Sequence, residues 1–291
     1  MLNATAPHTR CSRPLLVIAH PGHELRLVAW LNKAHPDVVV LTDGSGGDGQ
    51  PRVDATQRIV SDGGGHACAL FGAYADRQIY QAMLSGSVQL FLDMARQLIT
   101  QIRLGGYHTI VRDPYEGYNP THDVCAVLVD VAVALVWRRY GQRIRVYDFP
   151  LTPLSDFRQS NALRRYVLTD AERVHKRAIV TGYRQLEGEV NAALQREGAS
   201  TYAEEVLRQL SIGGPATNQH LAPPFYETYG EGQRLAGRYT TVIRYAEHLA
   251  PIENAIKGLM RPVPDLLQPD ATQQHPDATT ERVRAQVSDA T

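Results

Sequence analysis

The chain has only three cysteines, Cys11, Cys68 and Cys125, widely spaced and with no C-x-x-C among them. That excludes a disulfide framework and a thiolate zinc site, and it makes a reducing cytoplasm the expected compartment. There is no net charge, because 30 lysines and arginines balance 30 aspartates and glutamates. Without a global field of one sign, neither nucleic acid nor an anionic membrane is an expected partner, and any charge chemistry must be local. Apolar runs are short. None approaches the ~18 residues a membrane helix needs, and the densest, Val124 to Trp137, contains Asp130 and reads as a buried helix. The start, "MLNATAPHTRCSRPLLVIAHPGHE", has an apolar run too short for a secretory signal, with proline and histidines around it.

What is present suffices for a large α/β core, since 291 residues can bury a substantial interior. "PLLVIA" (14–19) is apolar without gaps at helical spacing, as in a strand buried on both faces of a parallel sheet. Leu25, Val28 and Ala29 then recur at helical spacing, and "DVVVLT" (37–42) is a second buried strand. Strand, helix and strand in this order form a βαβ unit with a right-handed crossover. The pattern further predicts a helix over 54–71, a strand at "RQIY" (77–80), a helix over 88–103, a strand at "YHTIV" (107–111), an apolar helix over 122–138 and a strand at "RIRVYDF" (143–149). Residues 14–260 thus read as one α/β domain: a Rossmann-like three-layer sandwich with a mostly parallel sheet over 14–150, and a helical C-terminal part over 151–260. "TDAERVHKRAIVTGYRQLEGEV" is the clearest helix of that part, with Thr169 as its N-cap. The first 13 residues and the proline-containing tail 261–291 read as flexible ends.

Ligands of open α/β sheets bind outside the carboxyl ends of the strands. His20, His23 and Glu24 follow the first strand; Asp43, Asp48 and Arg52 the second; Asp113, Tyr115, Glu116, Tyr118, Asn119, His122 and Asp123 follow "YHTIV". Three loops thus carry histidines or acids to one rim, for which a buried core has no use. His20 and His23 are spaced to meet at one point, and His122, at the start of the next large helix, is the best placed third ligand. Three protein ligands with a position left for water make a catalytic zinc site. The competing reading of H-x-x-H is a polar turn at a helix start.

Asp43 and Glu116 are candidate proton acceptors, against the alternative that they cap the glycine turn and bond backbone amides. Glu24 is either a ligand or an acid favouring the helix N-terminus. Arg52, Tyr115 and Tyr118 have donors and flat faces suited to a sugar or carboxylated small-molecule substrate, while His66 and His248 read as structural. "GSGGDG" (44–49) matches G-x-G-x-x-G by spacing. It follows the second strand, however, Pro51 interrupts the turn into a helix, and Asp43 and Asp48 would repel a pyrophosphate. A glycine loop giving backbone freedom beside a metal is the simpler explanation.

"AHPGHE" (19–24) resembles the A-H-P-D-D-E motif of the PIG-L/LmbE-like (GlcNAc-PI de-N-acetylase-like) zinc-dependent deacetylases, which follows the first strand of a Rossmann-like fold. "YNPTHDVCA" (118–126) is similar to that family's second motif, H-P-D-H before a helix, and "KRAIVTGYRQ" (176–185) to a lysine-alanine-tyrosine-glutamine segment. The resemblance spans roughly residues 14–190, as a divergent AHPGHE branch. It implies removal of an N-acyl group from an amino sugar or related small metabolite, by a water that Zn2+ or another divalent metal activates. The family's first zinc histidine falls on His20, its last on His122, and its acidic ligand on His23. The family's general base falls on Gly22, its oxyanion-stabilising histidine on Asn119 and the acid before the last ligand on Thr121.

An imidazole in place of a carboxylate leaves such a site one charge more positive, which acidifies its water and lessens the need for a strong base. A proton acceptor still contributes on the order of 100-fold. Asp43 or Glu116 would supply it, and the Asn119 amide would still donate to an oxyanion. The alternative is a non-catalytic metal- or ligand-binding member of the family, which the lost base also fits. Self-association stays open.

Overall fold

The computed structural model describes residues 13–46, 49–152, 163–198, 202–211 and 223–261. The expectations for residues 1–12, for Asp48 and for the tail beyond Arg261 lie outside the described residues. In chain order the elements are β1 (Leu15–Ile18), a 3-10 turn (His23–Leu27) leading into α1 (Val28–Ala34), β2 (Asp37–Thr42), α2 (Val53–Asp62), β3 (His66–Tyr74), α3 (Asp76–Leu84) and α4 (Val88–Gly105). There follow β4 (Thr109–Arg112), α5 (Pro120–Tyr140), β5 (Arg145–Asp148), β6 (Leu163–Val167), α6 (Asp170–Gly182), α7 (Glu187–Glu197), β7 (Glu204–Leu210), α8 (Phe225–Leu235) and α9 (Ala250–Gly258).

Among the described residues the strands form one seven-stranded sheet in the order β3-β2-β1-β4-β5-β7-β6. The first five pair in parallel, and β7 and β6 add antiparallel at one edge. Alternate residues of each central strand feed opposite layers, because successive side chains point to opposite faces. Leu15, Val17, Val39 and Leu41 pack with Phe91, Met94 and Leu98 of α4, the apolar face of α5, and Ile252 and Ile256 of α9. Leu16, Ile18, Val38 and Val40 pack with Trp30 and Leu31 of α1 and Val60 of α2. Burial on both faces is why these strands read as unbroken apolar runs. By length and composition α5 could cross a membrane, but most of it is buried inside this fold.

The sheet grows from β1 to β2 on one side and to β4 on the other. That reversal opens the ligand crevice of a doubly wound sheet over the carboxyl ends of β1 and β4, the strands that precede the histidine loops.

Three expectations need correction. The helix predicted over 54–71 stops at Asp62, and residues 66–74 form β3; the predicted "RQIY" strand lies instead within α3. Gly63, Gly64 and Gly65 end the helix, Gly64 with a left-handed φ of 75° and Gly65 packed so near the Pro36 carbonyl that a Cβ would lie 2.9 Å from it. As an edge strand with largely exposed or half-exposed residues, β3 lacks the apolar alternation that marks half-buried strands. The C-terminal part is also not wholly helical, since it supplies β6 and β7. "LRRYV", at the sheet edge, carries the charges with which edges resist further pairing, and the charges of "LRRYV" and of the inner "EEVLRQL" hide both strands from a hydrophobic reading. Arg208 of β7 fixes the junction by a two-pronged bond to the buried Asp148 of β5, at 2.9 and 2.5 Å.

Candidate metal centre

His20 lies just beyond β1, and Gly22 turns the chain with a left-handed φ of 106°, bringing His23 into the first position of the 3-10 turn. His122 enters from β4 in the first turn of α5, whose start is set by Pro120 and by the Asn119 side chain accepting from the Thr121 amide at 2.8 Å. That is an ordinary N-cap with proline just inside the helix. The fold brings the three imidazoles together, with ring centroids 5.4 Å apart for His20 and His23, 5.4 Å for His20 and His122, and 4.6 Å for His23 and His122. Three imidazoles bound to one tetrahedral ion through bonds of about 2 Å would have centroids about 5 Å apart. Ring positions therefore match a shared ion, although among the described residues no three donor groups are already drawn together to hold one.

Each imidazole is backed by its own carboxylate through Nδ1. His20 Nδ1 meets Thr42 Oγ1 at 2.7 Å and Asp76 Oδ1 at 3.1 Å. His23 Nδ1 meets Asp113 at 3.0 and 2.9 Å, and His122 Nδ1 lies 3.4 Å from Glu116 Oε1. A carboxylate on one ring nitrogen is the usual support of a metal-binding histidine, since it fixes the tautomer and leaves the other nitrogen as donor. His20 Nε2 is buried and has no hydrogen-bond partner among the described residues, a costly state for a polar atom unless something else takes its lone pair.

Burial pushes His23 well below its ordinary pKa, helped by the nearby charge of His20. Burial likewise pushes His122 down to about 4, against the raising pull of Glu116. Both are thus neutral near pH 7, the form that binds metal. Asp113 is fully buried, and burial raises it to about 6 although His122 and the Ala19 amide favour its charge. Burial opposes ionisation of Asp76 too, but its bond to His20, the charge of His20 and further bonds from Thr42 and Gly46 prevail and hold it below the usual carboxylate range.

The other sequence candidates divide. Asp43 is engaged in the glycine turn, its Oδ1 accepting from the Ser45 and Asp76 amides at 2.9 and 3.2 Å, so the turn-capping alternative describes it. Glu116 is turned to His122 with a side chain only 2% exposed; its own amide and that of Gly117 donate to Asp123 Oδ1 at 2.9 and 3.0 Å. Asn119, besides capping α5, donates from Nδ2 to the Tyr80 hydroxyl at 3.1 Å. Glu24 accepts from the Gly22 amide at 2.8 Å and from Thr56 Oγ1 at 2.7 Å, and burial raises it to about 7. It therefore holds the turn.

The Tyr115 hydroxyl donates to Glu253 on α9 at 2.8 Å. Tyr118 is exposed. Arg52 precedes α2, with its Nε buried and without a partner among the described residues. Its neighbour Gly44, at φ 68°, leaves it room, because a Cβ there would lie 2.9 Å from both Arg52 Nε and Pro21 Cδ. Of the histidines read as structural, His66 meets Arg13, and His248 Nδ1 accepts from the Arg244 amide at 2.9 Å.

Two site features were missed. Asp76, the partner of His20, stands at the end of β3, and misplacing that strand hid it; the signal was the acid closing "HACALFGAYAD". At Gly22, a Cβ would overlap Leu186 Cδ1 from the turn between α6 and α7, a long-range contact without a sequence signal.

No protein-family model matches the chain, and no curated protein matches it. Among solved structures it is similar to the A40926 pseudoaglycone deacetylase Dbv21, at 14% identity over 70% of this chain and 99% of that one, with a TM-score of 0.43. It is also similar to the zinc inhibited form of teicoplanin deacetylase Orf2, at 11% identity over 70% of this chain and 100% of that one, with a TM-score of 0.42. The conserved protein TT1542 from Thermus thermophilus is similar at 17% identity over 69% of this chain and 94% of that one, with a TM-score of 0.44. At these values the likeness carries no functional inference.

Proposed function

We propose that His20, His23 and His122 hold one divalent metal, zinc by the chemistry of the donors, and that the protein is a metal-dependent hydrolase removing an N-acyl group from an amino sugar or related small metabolite. The observation that carries this reading is the threefold arrangement of imidazole on carboxylate, His20 on Asp76, His23 on Asp113 and His122 on Glu116, in one crevice. A metal there would supply Lewis acidity toward the acyl oxygen and a more acidic water.

The chain's own groups supply the rest. Gly22 has no side chain and Asp43 is held in its turn; Glu116, besides backing His122, is the carboxylate proposed to accept the proton. The Asn119 amide has two N–H groups, of which Tyr80 takes one; the other can donate to the oxyanion that forms when water adds to the acyl carbon. Arg52 flanks the crevice, where its charge acts on His23, and its guanidinium can receive a substrate oxygen.

One observation favours a second reading, a binder without turnover: Leu186 fills the space beside Gly22, so an apolar group stands where the resemblance puts a base. Primary-amine release from a panel of N-acetylated sugars, before and after chelation and metal return, separates the two. Release that disappears on chelation and returns with metal is expected. Sugar binding without release selects the binder, and release that survives chelation removes the metal from the reaction.

A further inference from the structure

The amino ends of β4 and β5, at the other end of the sheet from the candidate metal centre, carry a surface of a different kind. α4 and α5 pack together and finish there, each on a glycine with a left-handed φ, 63° for Gly106 and 68° for Gly141. Arg103 joins the two helix ends by lying over the Tyr140 ring, its guanidinium carbon 4.9 Å from the centroid. Gln142 ties the next loop to them, donating to the Ile102 and Tyr107 carbonyls at 3.4 and 2.9 Å. The Arg145 amide then donates to the His108 carbonyl at 2.9 Å as β5 begins beside β4. Residues 103–108 and 137–145 thus form one surface.

Its charge has one sign. Arg103, Arg138, Arg139, Arg143 and Arg145 are all exposed, and the sequence has no acid from Met94 to Arg112 and none from Val131 to Tyr147. Among the described residues the arginine–carboxylate pairs lie elsewhere. Asp37, at the start of β2, accepts from the Tyr107 hydroxyl at 2.7 Å. In a chain without net charge this is a local concentration of cations. The last turn of a helix favours cations, which accounts for Arg103, Arg138 and Arg139. It does not account for Arg143 and Arg145, which lie beyond the helices.

Apolar groups stand among these charges, with Leu104 65%, Trp137 44% and Tyr140 47% exposed. That mixture selects the partner. Arginines alone suit the phosphates of a nucleic acid as well as those of lipids. A nucleic acid can stack bases on Trp137 but offers nothing to Leu104. At a bilayer surface each group has a place: tryptophan and tyrosine at headgroup level, leucine at the acyl boundary, and arginines against anionic phosphates.

We infer that this surface docks the protein on an anionic lipid membrane, with Trp137 and Leu104 entering the headgroup layer. β4 runs from this surface to the crevice, so the docked protein turns its metal centre away from the bilayer and takes its substrate from solution. The attachment depends neither on the proposed reaction nor on its metal.

The test sediments the full chain with vesicles of phosphatidylcholine alone and of phosphatidylcholine and phosphatidylglycerol in equal parts. Binding to the mixed vesicles, weakening as salt rises, is expected, with little to the neutral ones. Arg138 also holds the end of α9 through the Met260 carbonyl at 3.0 Å, so the variants are placed at Arg139 and Arg143. Arg139→Gln with Arg143→Gln should lower binding about 25-fold, at roughly 5-fold for each arginine. Arg177→Gln with Arg184→Gln, exposed arginines on α6 and just after it, should change little. Trp137 is the exposed one of two tryptophans, Trp30 being buried, so lipids brominated in their acyl chains should quench its fluorescence. Trp137→Phe should abolish the quenching and keep sedimentation, and Leu104→Ser should weaken binding. Equal binding to both kinds of vesicle, binding untouched by the Arg139 and Arg143 pair, or binding without quenching overturns the proposal. Tighter binding of an oligonucleotide than of the mixed vesicles at the same salt also overturns it and assigns the surface to nucleic acid.

Discussion

The two parts of the chain have unlike roles at the crevice. Every proposed ligand and its carboxylate comes from the loops of the parallel strands, between His20 and His122. The part after residue 163 contributes none of them, yet it touches those same loops with buried groups. Lys176 donates to the Arg26 carbonyl and to Glu205, each at 2.8 Å. Glu205 accepts from the Ala29 and Trp30 amides at 2.9 and 2.7 Å, serving from a distant strand as the cap that α1 lacks at its own N-terminus. Tyr183 reaches Thr56 and the Arg52 carbonyl, Leu186 covers Gly22, and Glu253 takes the Tyr115 hydroxyl. The strand ends thus set the chemistry, and the later elements set where it points.

The most damaging way to attack that division is Lys176→Met. Lys176 and Glu205 are 3% and 2% exposed, and removing one partner of a buried pair costs about 3–5 kcal/mol. Denaturant unfolding should show that loss, while the folded fraction still binds metal; adding Glu205→Gln should restore part of the stability. Asp113→Asn attacks the other side. It should weaken metal binding about 10- to 100-fold, as support mutations at metal sites do, measured by competition with a chromogenic chelator. If it instead abolished folding with metal affinity intact, the two roles would not be separable.

Gly22→Asp sets the two parts against each other, because it returns a carboxylate to a left-handed backbone under Leu186. Strain of this kind costs about 1–3 kcal/mol, and amine release should not rise. Adding Leu186→Ala should recover part of the melting temperature by removing the overlap. A single variant as stable as the parent would show that Leu186 does not close this position.

The smallest effect belongs to Glu172, on the exposed first turn of α6. Its bond to Lys33, then those to Thr169, hold its carboxyl at about 2, and it closes a capping box with Thr169. A depressed acid stabilises above its unfolded pKa and loses that contribution as pH falls through the folded value. Glu172→Gln should therefore lower the melting temperature slightly at pH 7, with the difference shrinking between 4.5 and 2.

The sequence makes β1 and β2 legible because burial on both faces leaves nearly unbroken apolar runs, β4 and β5 by the buried apolar pairs Ile110–Val111 and Val146–Tyr147 at their centres, and α5 because most of its length is buried. Those strands alone determine where His20, His23 and His122 emerge. The strands β3, β6 and β7 are illegible for other reasons: β3, at one edge, leaves most of its small and apolar residues exposed or half-exposed, β6 and β7 are interrupted by charges, and what makes them strands is the partner beside them. Asp76 was lost with β3. The contact of Leu186 with Gly22 and the bond from Tyr115 to Glu253 join residues more than 100 positions apart, and no local pattern encodes them.

The most direct test of the shared histidine site is metal content per chain, by mass spectrometry of purified protein, for the parent and for His20→Ala, His23→Ala and His122→Ala. About one divalent ion in the parent, lost from each variant while its circular dichroism is retained, is the expected result. A parent without stoichiometric metal, or metal retained in any two of the variants, would contradict it.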